Sequence, residues 1–134
     1  MPVSRRLLLS AVSAIAVLPV LRRVARAETR PALLLRYESE EQLRKLAAEG
    51  PTVLFFFATW CPNCQEAARE FSDRWNEVRP GIALVVADYD KQTALKAKYG
   101  VTYQDTYVQV SAEGRRIKIW NGGSIASLNT HTQG

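Results

Sequence analysis

The chain has 134 residues, 47% of them hydrophobic, which is enough for one small domain and too few for two. Its formal charge of +5 is misplaced as a clue to partners: five arginines lie in residues 1–27, where no acid occurs, and the remainder balances 13 bases against 13 acids. With those bases scattered rather than blocked, nothing argues for nucleic acid or an anionic membrane surface, and two cysteines are too few for a disulfide framework.

The chain opens with Arg5 and Arg6, an apolar run from Leu7 to Leu21 interrupted at Pro19, and small residues at Ala25 and Ala27. That order predicts an export signal over 1–27, cleaved after Ala27. The run spans 15 residues, short of the roughly 20 that cross a bilayer as a helix; a membrane attachment would follow only from an uncleaved segment. Ser4 to Leu9, with its paired arginines and following leucines, is similar to a twin-arginine export signal of bacteria. The expected address is outside the cytoplasm, and residues 28–134 are expected to form the domain.

Within that domain Leu33 to Leu35 and Tyr37 predict a first strand. Ser39 and Gln42 stand at capping-box spacing before Leu43, Leu46 and Ala47, and Gly50-Pro51 ends that helix. Thr52 to Ala58 is uninterrupted, β-branched and aromatic, the signature of a central strand buried on both faces. Pro62 suits the first turn of a second helix, whose apolar face runs through Ala67, Ala68, Phe71, Trp75 and Val78 to Pro80-Gly81. Ile82 to Ala87 predicts a third strand, with Asp88 at its end and Asp90 capping a short helix that closes at Gly100. Thr106–Val110 and Ile117–Trp120 predict a hairpin across Ala112 to Gly114. Ser124 to Gly134 is expected to hold one short helix with a frayed polar end. The order βαβαβαββ implies an α/β fold with a mixed central sheet covered by helices.

Both cysteines lie in Trp60-Cys61-Pro62-Asn63-Cys64, and three chemistries compete for them: a redox pair, half of a metal site, or a remnant kept for folding. A cysteine just before a helix meets unpaired N–H groups and the positive end of the helix dipole, which favour the thiolate. Cys61 occupies that place as an exposed nucleophile, and Cys64 falls one turn in, shielded, where it could resolve a mixed disulfide. Pro62 stiffens the turn and Trp60 offers a flat apolar wall for a peptide. A closed zinc site needs four ligands; two cysteines supply half, and His131, the only histidine, is expected as an exposed bystander in the tail. Met1 is the only methionine, which excludes a methionine-rich copper site. Glu66, Glu70 and Asp73 are expected as a solvated helix face, and Phe55, Phe56, Phe57, Trp75 and Trp120 as packing residues.

The stretch from Phe55 to Cys64 resembles the active-site strand and helix start of the thioredoxin superfamily. Asp88-Tyr89-Asp90, Lys98 to Val101 and the hairpin fall in the same order, so the resemblance covers essentially all of 28–134. It implies a three-layer α/β/α sandwich and a monomeric thiol–disulfide oxidoreductase. Cys61 and Cys64 would form its redox disulfide, with no further cofactor or metal. Its partners would be protein thiols and disulfides together with a redox partner of its own. A non-catalytic adaptor of the same fold is the alternative, and a metal carrier the remote one.

Three positions depart from the family pattern. Phe55 stands where an acid usually lies beneath the second cysteine, leaving no carboxylate there to help deprotonate Cys64. Gln65 replaces the lysine common after the second cysteine. Asp105 occupies the position of the cis-proline whose loop lines the substrate groove, so the Gln104–Asp105 bond is expected to be trans. Gln104 and Asp105 would then face the motif in altered form, with Asp105 opposing thiolate formation at Cys61. The candidate substrate surface is therefore Trp60, Pro62, Asn63, Gln104 and Asp105.

Overall fold

A computed structural model describes residues 30–134. The export-signal expectation over 1–27 lies outside those residues. Strands β1 (Leu33–Arg36), β2 (Thr52–Phe57), β3 (Ala83–Asp88), β4 (Thr106–Val110) and β5 (Arg116–Asn121) form one sheet in the order β1-β3-β2-β4-β5. β3 runs parallel to both β1 and β2, whereas β4 is antiparallel to β2 and β5 to β4. The sheet is mixed for the expected reason: helical crossovers return β1 to β3 parallel, and a tight turn reverses the last pair.

Helices α1 (Glu40–Glu49), α2 (Pro62–Arg74), α3 (Thr93–Tyr99) and α4 (Ser124–His131) complete the described chain. They cover both faces of the sheet, and alternation along β2 feeds two cores. Val53 and Phe55 pack with Ala67 and Phe71 of α2 and Ile125 and Leu128 of α4. Leu54 and Phe56 pack with Leu43 of α1 and Leu95 and Tyr99 of α3. This is the three-layer α/β/α sandwich. Each fully buried Phe or Leu contributes about 1.5–3 kcal/mol, so the uninterrupted β2 run holds both layers to one strand.

Local chemistry differs from expectation in four places. Ser39 Oγ accepts from the Gln42 N–H at 3.1 Å, but Gln42 reaches back one residue further than a capping box, accepting from the Glu38 N–H and donating to the Arg36 carbonyl. The α2 helix proper stops at Arg74 and tightens into a 3-10 turn over Trp75–Glu77. Asp90 does not cap α3, which starts at Thr93; Asp88 closes that turn by accepting from the Asp90 and Lys91 N–H groups. The tail is tied down rather than frayed. Arg79 donates to the Asn129 and Thr132 carbonyls, and Gln109 and Gln133 exchange two bonds of 2.7 and 2.8 Å. His131 accordingly ends α4 half-buried, with its ring 5.3 Å from that of Trp120.

Candidate functional site

Cys61 is the N-cap of α2 and Pro62 its first residue, where the missing N–H costs nothing. Buried β2 ends at Phe57, and the turn after it is braced three ways. The Cys61 N–H donates to the Ala58 carbonyl, the Gln65 N–H to the Cys61 carbonyl, and Gln65 Nε2 to the Thr59 carbonyl. Gln65 therefore staples the turn, where a lysine would have carried charge into solvent.

Cys61 Sγ accepts from the Cys64 N–H at 3.1 Å, in the role an oxygen plays at other helix N-caps. Both cysteines are free thiols. The expected contrast in exposure is absent: Cys61 is 2% exposed and Cys64 fully buried. Their asymmetry is one of bonding. Cys61 takes a helix N–H, whereas Cys64 sits in the core against Ala67, Phe71 and Ile125. Burial pushes the Cys64 thiol up to about 12; a bond to the Ala58 backbone works against that rise, while Cys61 and the charge of Asp105 add to it.

Around this buried pair the exposed surface is supplied by Trp60, Pro62 and Asn63. Trp60 is 56% exposed yet held: its Nε1–H donates to Asp90 Oδ2 at 2.9 Å, and its ring meets Tyr89 edge-on. Tyr89 is in turn fixed by its hydroxyl bond to the Thr102 carbonyl and by Lys96 over its ring. Reading Asp90 as a cap missed this contact, because a residue distant in sequence supplies the donor. The exposed Tyr103 was also missed; its carbonyl accepts from Thr106 Oγ1 in the loop that ends at Asp105.

That loop shows what replaces the family's proline. The Gln104–Asp105 bond is trans, and Asp105 adopts the left-handed conformation at φ +57° that aspartate tolerates better than most residues. Its N–H donates to the Phe56 carbonyl, and its carbonyl accepts from the Gly122 N–H. Gln104 is half-buried, its carbonyl accepting from Asn121 Nδ2. Asp105 itself is 6% exposed, with no partner for Oδ1, and burial lifts its carboxyl above the usual aspartate range. Its charge is felt at Cys64 and at Tyr107.

Phe55 fills the strand position with packing. It stacks on Tyr107 at 4.5 Å between ring centroids, and Tyr107 stacks on Trp120. Tyr107 is fully buried with its hydroxyl unpartnered, and burial first, then nearby negative groups, keep it a phenol. Glu70 leaves the solvated face assigned to it, bonding Ser124 Oγ and Arg74. Among the described residues no three His, Cys, Asp or Glu side chains group to hold a metal ion.

The thioredoxin family model matches residues 34–131, nearly the whole described chain. The chain belongs to the thioredoxin family. Among curated proteins it is 28% identical over 88 residues to Thioredoxin Asp f 28 of Aspergillus fumigatus, covering 63% of this chain and 78% of that one. Among solved structures it is similar to Fasciola hepatica thioredoxin at 26% identity and TM-score 0.56, covering 75% of this chain and 94% of the other. The reduced Schistosoma mansoni thioredoxin pre-protein is comparable, at 25% identity and TM-score 0.57 over 74% and 94%. Trxlp of Edwardsiella tarda, at 20% identity and TM-score 0.58 over 75% and 99%, shares the fold. A thioredoxin-family fold with two cysteines one helical turn apart supports a thiol–disulfide oxidoreductase role in general.

Proposed function

We propose that this thioredoxin-family chain is an exported oxidoreductase that exchanges disulfides with protein substrates through Cys61 and Cys64. The observation that carries it is the placement of Cys61 Sγ as the helix N-cap, with Cys64 one turn behind. A helix N–H directed at the sulfur favours the anionic nucleophile that exchange requires. The Cys61 thiolate attacks a substrate sulfur and forms a mixed disulfide; Cys64 then attacks Cys61, closing the pair and releasing the substrate thiol. Running backwards, the same steps donate a disulfide. Trp60, Pro62 and Asn63, with the Gln104–Asp105 loop opposite, form the surface on which a peptide would lie. The residues 1–27 pattern supports an address outside the cytoplasm.

The test is reduction of a protein disulfide by the dithiol form, with the Cys64→Ser variant as a trap. Turnover by the wild type, loss of it in Cys61→Ser, and a covalent substrate adduct on Cys64→Ser are the expected results. A wild type that neither turns over nor yields an adduct would leave the chain a binding protein. Cell fractionation of the full chain tests the address: recovery in the cytoplasm would overturn export.

A further inference from the structure

We propose that Asp105 is the proton acceptor for Cys64 in the resolving half of disulfide exchange. This rests on the exchange reading above. Asp105 directly precedes β4 and lines one cleft with Asn63 and Ala67, the α2 residues on either side of Cys64 in that helix, on the sheet face where Cys64 and Tyr107 are packed. Asp105 is held there by its own backbone, bonded on one side to Phe56 and on the other to Gly122. Its carboxyl is buried, and Oδ1 faces no N–H or O–H donor. A buried carboxylate oxygen without a donor costs free energy, and a catalytic role is among the reasons such an atom is kept; a thiol proton is one that it could take.

Cys64 needs such an acceptor. It is fully buried and its thiol is held up to about 12, so it will not ionise by itself at neutral pH. The groups that could take its proton are few. From α2 come Cys61, which is tied up in the mixed disulfide at this step, and Glu66 and Glu70, which line the cleft beside Asp105. Glu70 is engaged by Ser124 and Arg74, and Glu66 lies on the exposed side of the helix. From β4 comes Tyr107, which burial keeps protonated. The turn at 121–124 contributes only the uncharged Asn121 and Ser124. Asp105 is the one that is buried, unpartnered and electrostatically coupled to Cys64. Burial also raises its basicity, which narrows the gap to the thiol.

The step balances without an added reagent. The Cys64 S–H proton passes to the Asp105 carboxylate, and the Cys64 thiolate attacks Cys61 Sγ. The Cys61–Cys64 bond forms as the bond from Cys61 to the substrate sulfur breaks, and the substrate leaves as a thiolate. The cysteine pair loses two electrons and the substrate gains them. A cleft of about 380 Å³, lined by Asn63, Glu66, Asp105 and Ser124, then lets the proton leave for solvent. In the reverse direction protonated Asp105 returns it to Cys64.

The experiment follows one turnover of a protein disulfide by the wild type and by Asp105→Asn. Release of the mixed disulfide should slow by about 10²-fold, the lower end of what general acid–base catalysis supplies, and should lose its dependence on pH. Formation of the adduct is measured separately on Cys64→Ser with and without the same substitution. Equal release rates and pH profiles would overturn the role of Asp105. A second readout needs no turnover: in Cys61→Ser the only thiol is Cys64, and its infrared S–H stretch should move to lower frequency as Asp105 ionises. A band that ignores pH, or moves equally in Cys61→Ser/Asp105→Asn, overturns the proposal. Failure of the wild type to form any adduct would instead overturn the exchange reading on which the role rests.

Discussion

Asp105→Asn keeps the shape of the side chain and removes its ionisation, so it isolates what a buried carboxyl does to stability. The folded carboxyl titrates above the ordinary 3.8, because burial disfavours the charged form. Below that ordinary value both folded and unfolded chains are protonated, and stability is at its fullest. As pH rises through the interval between the unfolded and the raised folded titration, the unfolded chain ionises first and stability is lost. Above the folded titration the loss is constant, at about 1.4 kcal/mol for every pH unit separating the two. At 6% exposure the side chain gains little from solvent screening, and Oδ1 has no donor to offset the charge. The variant lacks this component, while every other group titrates in both proteins. Urea unfolding of the two dithiol forms, stepped from about pH 4 to about pH 8, should therefore show the variant gaining on the wild type as pH rises, then levelling. A difference that is flat across the range refutes the reasoning. One that moves the other way would mean that the folded protein stabilises the carboxylate.

Two further substitutions test the surroundings of the site. Gly123→Ala, at φ +87° and with a new Cβ that would fall 1.8 Å from Ser127 Oγ, should destabilise α4 by about 1–3 kcal/mol. Thermal unfolding would show it, at about 4–8 °C per kcal/mol for a domain of this size; an unchanged Tm would mean that the turn relaxes. Asp90→Ala removes the acceptor that holds Trp60 and should weaken recognition of a protein disulfide by about 1 kcal/mol, or roughly fivefold in KM. The rate with a small aromatic disulfide should stay the same; equal losses on both substrates would place Trp60 in the chemistry rather than in substrate contact.

Much of this protein was legible as a string. The unbroken Thr52 to Phe57 run reads as a strand buried on both faces, Pro62 suits the first turn of a helix, and cysteines three apart across that start share one turn. These are local consequences of backbone geometry and of where apolar residues recur, and they were enough to indicate the fold and the motif. The contacts that set the site's electrostatics are not local. Asp90 reads as a helix cap until Trp60, thirty residues away, proves to be its donor. Glu70 and His131 read as solvated until α4 folds against α2 and β5. The burial of Cys61 could not be read from its neighbours either, because it belongs to a core cluster assembled from distant parts of the chain. Asp105 is the clearest case. Its place in the chain marks it as a departure, but only the pairing of β4 with β2 and the packing of α2 over both decide that its carboxyl is buried, without a partner, and coupled to Cys64. Composition and spacing determine which side chains are available; the dielectric and the partners each one meets are properties of the packed whole.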